Sequence, residues 1–177
     1  MEPLTEQEIR AAFVNCTKGE AKRLSVPRDL AERPWEDLDF LGWRDPQAPD
    51  RAYLVTEWHD GRPRAVALRA SGSAVGQTRR SMCSMCLTTL PHSRLRSSGG
   101  TPIGGVSLMV APKSGRAGRQ GNSVGAYICS DLACSLYVRG KRDAGIGARL
   151  HETITLEEKI RRTVANVAAF VAKVGTA

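Results

Sequence analysis

A chain of 177 residues is long enough to bury the core of one domain without covalent help, so a bound metal would shape a local module rather than rescue the whole fold. Apolar runs all fall short of the roughly 18 to 20 residues that span a bilayer, and the opening MEPLTEQEIR is polar and acidic where a signal peptide is basic and then apolar, which points to a cytoplasmic protein away from membranes. The formal net charge of +8 points to anionic partners, and five cysteines, an odd number, would leave one thiol over in a disulfide framework that a reducing cytosol already disfavours.

Thr5 followed by Glu8 makes a capping box, and the periodic segment running to about Leu24 predicts a first helix. Cys16 falls at helical spacing with Ile9 and Phe13, which predicts a small core residue. Pro27, Pro34 and Pro46 then punctuate a stretch that cannot hold a long helix. RAYLVTEW and PRAVALRAS flank HDGR, whose Asp60 and Gly61 favour a tight turn, so residues 51–70 predict a β-hairpin. GGVSLMVAPK predicts a strand, SGRAGRQGNS a basic, Gly-rich loop, and Val124 to Cys129 a further strand. Thr155 and Glu158 form a capping box that opens a last helix with an apolar stripe of Ile160, Val164, Val167, Val171 and Val174, which is read as core rather than as an interface; a monomer is expected.

Four of the five cysteines carry the strongest pattern. Cys83 and Cys86 form CxxC, 42 residues intervene, and Cys129 and Cys134 form CxxxxC. Two close pairs joined across a loop offer four thiolates to one ion, which suits tetrahedral Zn²⁺ in a closed structural site. SMCSMCL with Pro91 beyond reads as a zinc knuckle, and SDLAC reads as a helix start with Ser130 or Asp131 as N-cap and Cys134 one turn inside. A knuckle, a β-rich insert and a last ligand pair at a helix start make the treble-clef arrangement. His92 is an alternative ligand at a looser spacing, and a thiol-based redox sensor that ejects zinc on oxidation is an alternative use of the same cysteines.

Charge is uneven along the chain. Residues 1–70 carry a net charge of −2 and residues 71–177 one of +10. Between Arg79 and Arg142 ten basic residues, among them Arg94 and Arg96, face one acidic residue, Asp131. Such density raises the potential over one face and speeds encounter with RNA or an acidic protein. Single-strand binding interleaves aromatic platforms with basic groups, yet only Tyr127 and Tyr137 are aromatic in that window, while Trp35, Trp43 and Trp58 lie in the acidic half. His59 and His151 lack a nucleophile in recognisable context, and the glycines of GRAGRQGNSVG are not followed by the Gly-Lys-Ser/Thr of a phosphate loop, so the reading is a non-enzyme.

Together, the paired cysteines, GGVSLMVAPKSGRAG and GNSVGAYICSDLACSLYVRG resemble the treble-clef zinc-finger domain of the elongation factor G-binding proteins, the FBP group that includes the FusB-type fusidic acid resistance proteins. The resemblance runs from the first helix to the last and is sharpest between Ser81 and Gly140. It implies one structural Zn²⁺ on Cys83, Cys86, Cys129 and Cys134, and docking of the zinc-bearing half on elongation factor G, which in resistant members helps release a drug-stalled factor from the ribosome. The resistance proteins carry an additional N-terminal helical bundle, so this chain resembles their second domain alone. Tyr127, Arg139 and Lys141, which flank the second ligand pair, and Arg116, on the Gly-rich loop, are the candidate partner contacts. The expected fold is α+β and forms one domain: a helix and β-hairpin region (1–72), a treble-clef four-cysteine zinc finger (73–150) and a C-terminal helix packed on it (151–177). The alternative function is a basic zinc-finger module for ribosomal RNA or tRNA.

Overall fold

The computed structural model describes residues 1–71, 80–91, 105–142 and 153–176. The expected first helix is two short ones, α1 (Glu6–Ala11) and α2 (Lys18–Arg23). The Thr5–Glu8 capping box opens α1, and a second box, Thr17 with Glu20, opens α2. Between them the chain is stitched to a strand: Val14 N–H donates to Ala65 O at 2.9 Å, Ala65 N–H to Ala12 O at 2.9 Å, and the Asn15 amide bonds both Ala67 N–H and Ala67 O. Helix continuation loses to these tertiary bonds. Cys16 is therefore no helix-face residue; it lies half-buried in the connection, its thiol pushed up to about 11 by burial and then by Glu20.

After two 3₁₀ turns, Leu30–Glu32 and Trp35–Asp37, come β1 (Leu41–Arg44), β2 (Arg51–Glu57) and β3 (Pro63–Ala70). The hairpin of β2 and β3 is as expected, with Gly61 at φ 73 in its turn, a conformation that favours glycine. β1 was not foreseen: its four residues are too few to show a period. Further on, β4 (Arg80–Met82) and β5 (Thr89–Pro91) pair with each other, and β6 (Val106–Pro112) pairs with β7 (Ser123–Cys129). The expected loop between β6 and β7 contains a one-turn helix, α3 (Gly115–Arg119). α4 (Cys134–Val138) and α5 (Leu156–Gly175) complete the fold.

The main sheet is antiparallel in the order β1-β2-β3-β6-β7. Arg69 pairs with Val110 and Ala70 with Met109, so the helix-and-hairpin region and the cysteine-bearing half share one sheet. Both faces of its first strands are covered. Leu41, Trp43, Tyr53, Val55 and Ala65 pack with Ile9 and Trp35 on one face; Phe40, Ala52, Leu54, Val66 and Leu68 pack on the other with α5 and the cysteines. Strict alternation of destination under continuous burial explains why RAYLVTE is apolar without interruption.

Across the second face α5 lies with Val167, Phe170, Val171 and Val174 buried, each worth roughly 1.5–3 kcal/mol of transfer free energy. The expected stripe is shifted at its N-terminal end. Val164 is 40% exposed and Ile160 only half-buried, whereas Thr163 is buried, its hydroxyl donating to Lys159 O. Thr155 caps this helix by accepting from Glu158 N–H. Among the described residues no helix is long and apolar enough to cross a membrane.

Candidate metal centre

The tip of the β4–β5 hairpin carries Cys83 and Cys86. Its turn is closed by Leu87 N–H donating to Cys83 O at 2.9 Å and Cys83 N–H to Thr88 O at 3.0 Å, while Met85 N–H points at Cys83 Sγ at 3.4 Å. The tip is pinned onto β7, since Ser84 N–H donates to Tyr127 O at 2.6 Å, and onto α5, since the Asn166 side chain donates to Met85 O at 2.9 Å. Cys129 is the last residue of β7 and Cys134 the first of α4. The intervening turn is closed by Leu132 N–H to Cys129 O at 2.8 Å. Asp131 caps it as an Asx turn, accepting from Ala133 N–H at 3.1 Å, so Cys134 stands at the start of the helix rather than one turn inside.

Both ligand turns bend through a leucine with left-handed backbone, Leu87 and Leu132, each at φ 57. Such a conformation costs a non-glycine residue about 1–2 kcal/mol and persists only where its surroundings hold it. Leu132 is held by burial: its side chain lies over β1, where Gly42 leaves the room.

All four thiols are buried, and their sulfurs lie within 4.8 Å of one another. Cys83 and Cys134 are 3.6 Å apart, as are Cys86 and Cys129. A disulfide needs about 2.05 Å. Zinc–sulfur bonds of about 2.3 Å in a tetrahedron place sulfurs about 3.8 Å apart, so the cluster has the dimensions of a zinc site. Its electrostatics agree. Hydrogen bonds from Cys129, Cys134 and Cys86 hold the Cys83 thiol below its ordinary range, while hydrogen bonds with Cys129, Cys83 and Cys86, together with burial, hold Cys134 well above it. Four thiolates this close ionise together only around a cation. The donor set and spacing fit one Zn²⁺, and with four thiolates bound that ion has no open coordination position.

The surroundings of the site join the two halves of the chain. Arg139 forms a two-pronged pair with Asp39, at 2.7 and 2.8 Å, with side-chain exposures of 14% and 5%. Lys141 pairs with Asp37 at 2.6 Å, Asp39 N–H donates to Ser135 Oγ at 3.0 Å, and Arg44 Nε donates to Ser130 O. Asp131 accepts from Tyr137 OH at 2.8 Å and pairs with Arg142 at 3.2 Å. Burial first, and then the charge of Asp131, hold the Tyr137 phenol above its ordinary range, so it stays a donor.

The candidate partner contacts thus separate. Tyr127 is 45% exposed on β7 and Arg116 is exposed on α3. Lys141 keeps its outer face in solvent, whereas Arg139 is committed to Asp39 and serves the fold. Met82, which directly precedes the first ligand, is 54% exposed, and an exposed methionine has no sequence signature. Asp37 and Asp39 were missed because their partners lie about a hundred residues away. His92, His151, Arg79, Arg94 and Arg96 lie outside the described residues.

A family model for the FBP C-terminal treble-clef zinc-finger matches residues 8–174. No curated protein matches the sequence. Among solved structures, that of the fusidic acid resistance protein FusC aligns with a TM-score of 0.57 at 15% identity, over 98% of this chain and 60% of that one. At that identity the likeness is one of fold.

Proposed function

The chain belongs to the FBP C-terminal treble-clef zinc-finger family, and from that premise we propose that it is a non-catalytic, cytoplasmic, monomeric single-domain protein that binds elongation factor G and modulates its action on the ribosome or its release from it. The observation that carries the reading is the family match over residues 8–174 together with the four-thiol cluster it predicts. The shared fold with a fusidic acid resistance protein supports it, although the chain spans 60% of that protein's length.

Bound Zn²⁺ supplies a structural cross-link between two turns. The chain's own residues do the rest: Ser84 and Asn166 lock the knuckle to β7 and α5, and Asp39 with Arg139 locks α4 to the first half. A surface built on these elements is rigid, so its binding free energy is not spent on ordering it. Tyr127 and Met82, exposed on the two segments that meet at the knuckle, and the exposed Arg116 and Lys141 are the proposed contacts. Binding of this kind works by biasing the partner's conformation or residence, with no bond made or broken.

The experiment is a nuclease-treated pull-down at physiological salt of zinc-loaded and chelator-stripped protein against purified elongation factor G. Zinc-dependent capture is expected. No capture at micromolar factor would refute the reading, and RNA retained in the untreated control would instead favour a ribosomal RNA or tRNA module, for which the basic half is the motivation.

A further inference from the structure

A groove of about 710 Å³ lies against the sheet face opposite α5, between α2 and strands β2, β3 and β6. Arg51 of β2 and Arg69 of β3 both line it, and they are direct partners in the antiparallel register. Side chains so placed have Cβ atoms about 4.5–5.5 Å apart, and like charges there are destabilising. Arg23, the last residue of α2, enters the same groove.

Elsewhere on the surface arginines find carboxylates, as Arg10 does with Glu6 and Arg33 with Asp29. Among the described residues, no side-chain hydrogen bond or ion pair engages the guanidinium of Arg23, Arg51 or Arg69. Two acids also line the groove, and the charge of Arg23 acts on one of them, Glu20. Glu20 is bonded to Thr17, and the buried Asp45 accepts from Tyr53 OH and Gln47 N–H. Arg51 and Arg69, which make no ion pair among the described residues, and Arg23 beside Glu20 thus line a groove whose floor includes Leu24, Ala67 and Val110.

We propose that this groove binds a small phosphate-bearing ligand, its oxyanion bridging Arg51 and Arg69 with Arg23 as a third arm and its remainder resting on the apolar floor. Guanidinium forks match phosphate oxygens two at a time, and a tetrahedral dianion has enough oxygens for three of them where a carboxylate has two. The volume is that of a small-molecule site. Glu20 and Asp45 on its walls disfavour the continuous phosphate backbone of RNA. An anion here also removes the repulsion that the Arg51–Arg69 register builds into the sheet.

The test uses the full zinc-loaded chain, with inorganic phosphate and pyrophosphate as probes against chloride at equal ionic strength, read by calorimetric titration and by melting temperature. Saturable binding and a rise in Tm are expected, and Arg51→Gln or Arg69→Gln should each weaken binding by about tenfold or more, as loss of a charged hydrogen bond does. Arg64→Gln, at the far hairpin turn, should bind as wild type. Without phosphate Arg69→Gln should melt no lower than wild type, since it relieves a like-charge pair. No saturable binding of either probe, binding indifferent to the Arg51 and Arg69 variants, or a lower melting point of Arg69→Gln without phosphate would each overturn the proposal. So would a short single-stranded RNA that binds through the same arginines more tightly than pyrophosphate, because the site would then belong to a nucleic-acid backbone.

Discussion

Replacing Gly42 by alanine tests whether the second ligand turn is held in place by β1. A Cβ at this position would lie 2.5 Å from Leu132 Cβ, 3.1 Å from Leu132 O and 3.2 Å from a ring carbon of Phe40. Carbon atoms pack at about 3.5–4.0 Å, so the turn must withdraw by roughly 1 Å. Leu132 cannot swing aside cheaply: it is 3% exposed, has φ 57, and lies between Cys129 and Cys134. Overpacking of this kind costs about 1–3 kcal/mol, which at roughly 2–4 °C per kcal/mol for a chain of this size lowers Tm by about 2–12 °C. Strain released by displacing Leu132 moves two ligands, so up to the whole cost appears as weaker zinc binding, at about tenfold per 1.4 kcal/mol. The assay pairs thermal melting of the zinc-loaded protein with zinc transfer to a competing chelator. Gly125→Ala on β7 is the control, because its Cβ would meet Leu108 at an ordinary 3.4 Å and should change little. If Gly42→Ala melts and holds zinc as Gly125→Ala does, the claim that β1 supports the ligand turn is refuted.

Cys134→Ser should reduce bound zinc from one equivalent to none and unfold the cysteine-bearing half, because site binding and folding are coupled; Cys16→Ser should keep the metal, and elemental analysis with melting curves separates the two. Asp39→Asn leaves the largely buried Arg139 charge unbalanced and should cost about 3 kcal/mol in chemical denaturation, with zinc content unchanged. Gly118→Ala would set a Cβ 1.8 Å from Lys113 O and should disrupt the β6–β7 connection, seen as lost amide protection there. Glu8 is held below the ordinary carboxylate range by side-chain and then backbone hydrogen bonds with Thr5, and Glu20 by backbone and then side-chain bonds with Thr17. Their folded pKa values lie below the unfolded ones, so the stability they contribute is present above the ordinary glutamate range and is lost as pH falls below about 4.5. The Glu8→Gln, Glu20→Gln double variant should therefore lose less stability than wild type across that acid window, as measured by urea melts at stepped pH.

How much of this was legible in advance depended on the range of each interaction. Thr5 with Glu8 and Thr155 with Glu158 act within one turn, and Asp60 with Gly61 closes a hairpin from its own residues, so they could be read directly. Thr17 with Glu20 carried the same signal and was overlooked, which is why one helix was expected where two exist. The cysteines were legible for a chemical reason. Few residue types bind a soft dication, and the CxxC and CxxxxC spacings already confine each pair to one turn.

Tertiary structure decided what depends on distant partners. The acidic first half and the basic second half look like separate surfaces in the sequence, yet Asp39 meets Arg139 and Asp37 meets Lys141, so part of the basic excess is consumed inside the fold. Gly42 stands in an apolar run with nothing to mark that a leucine ninety residues later needs its missing side chain. The sequence by itself determined the local caps, the hairpin and the identity of the metal ligands, because those rest on neighbours along the chain. Only the folded chain decided which charges are paired, which face of each strand is covered, and that Arg51 and Arg69 stand side by side in the sheet, because each of these is a property of residues brought together across the sheet.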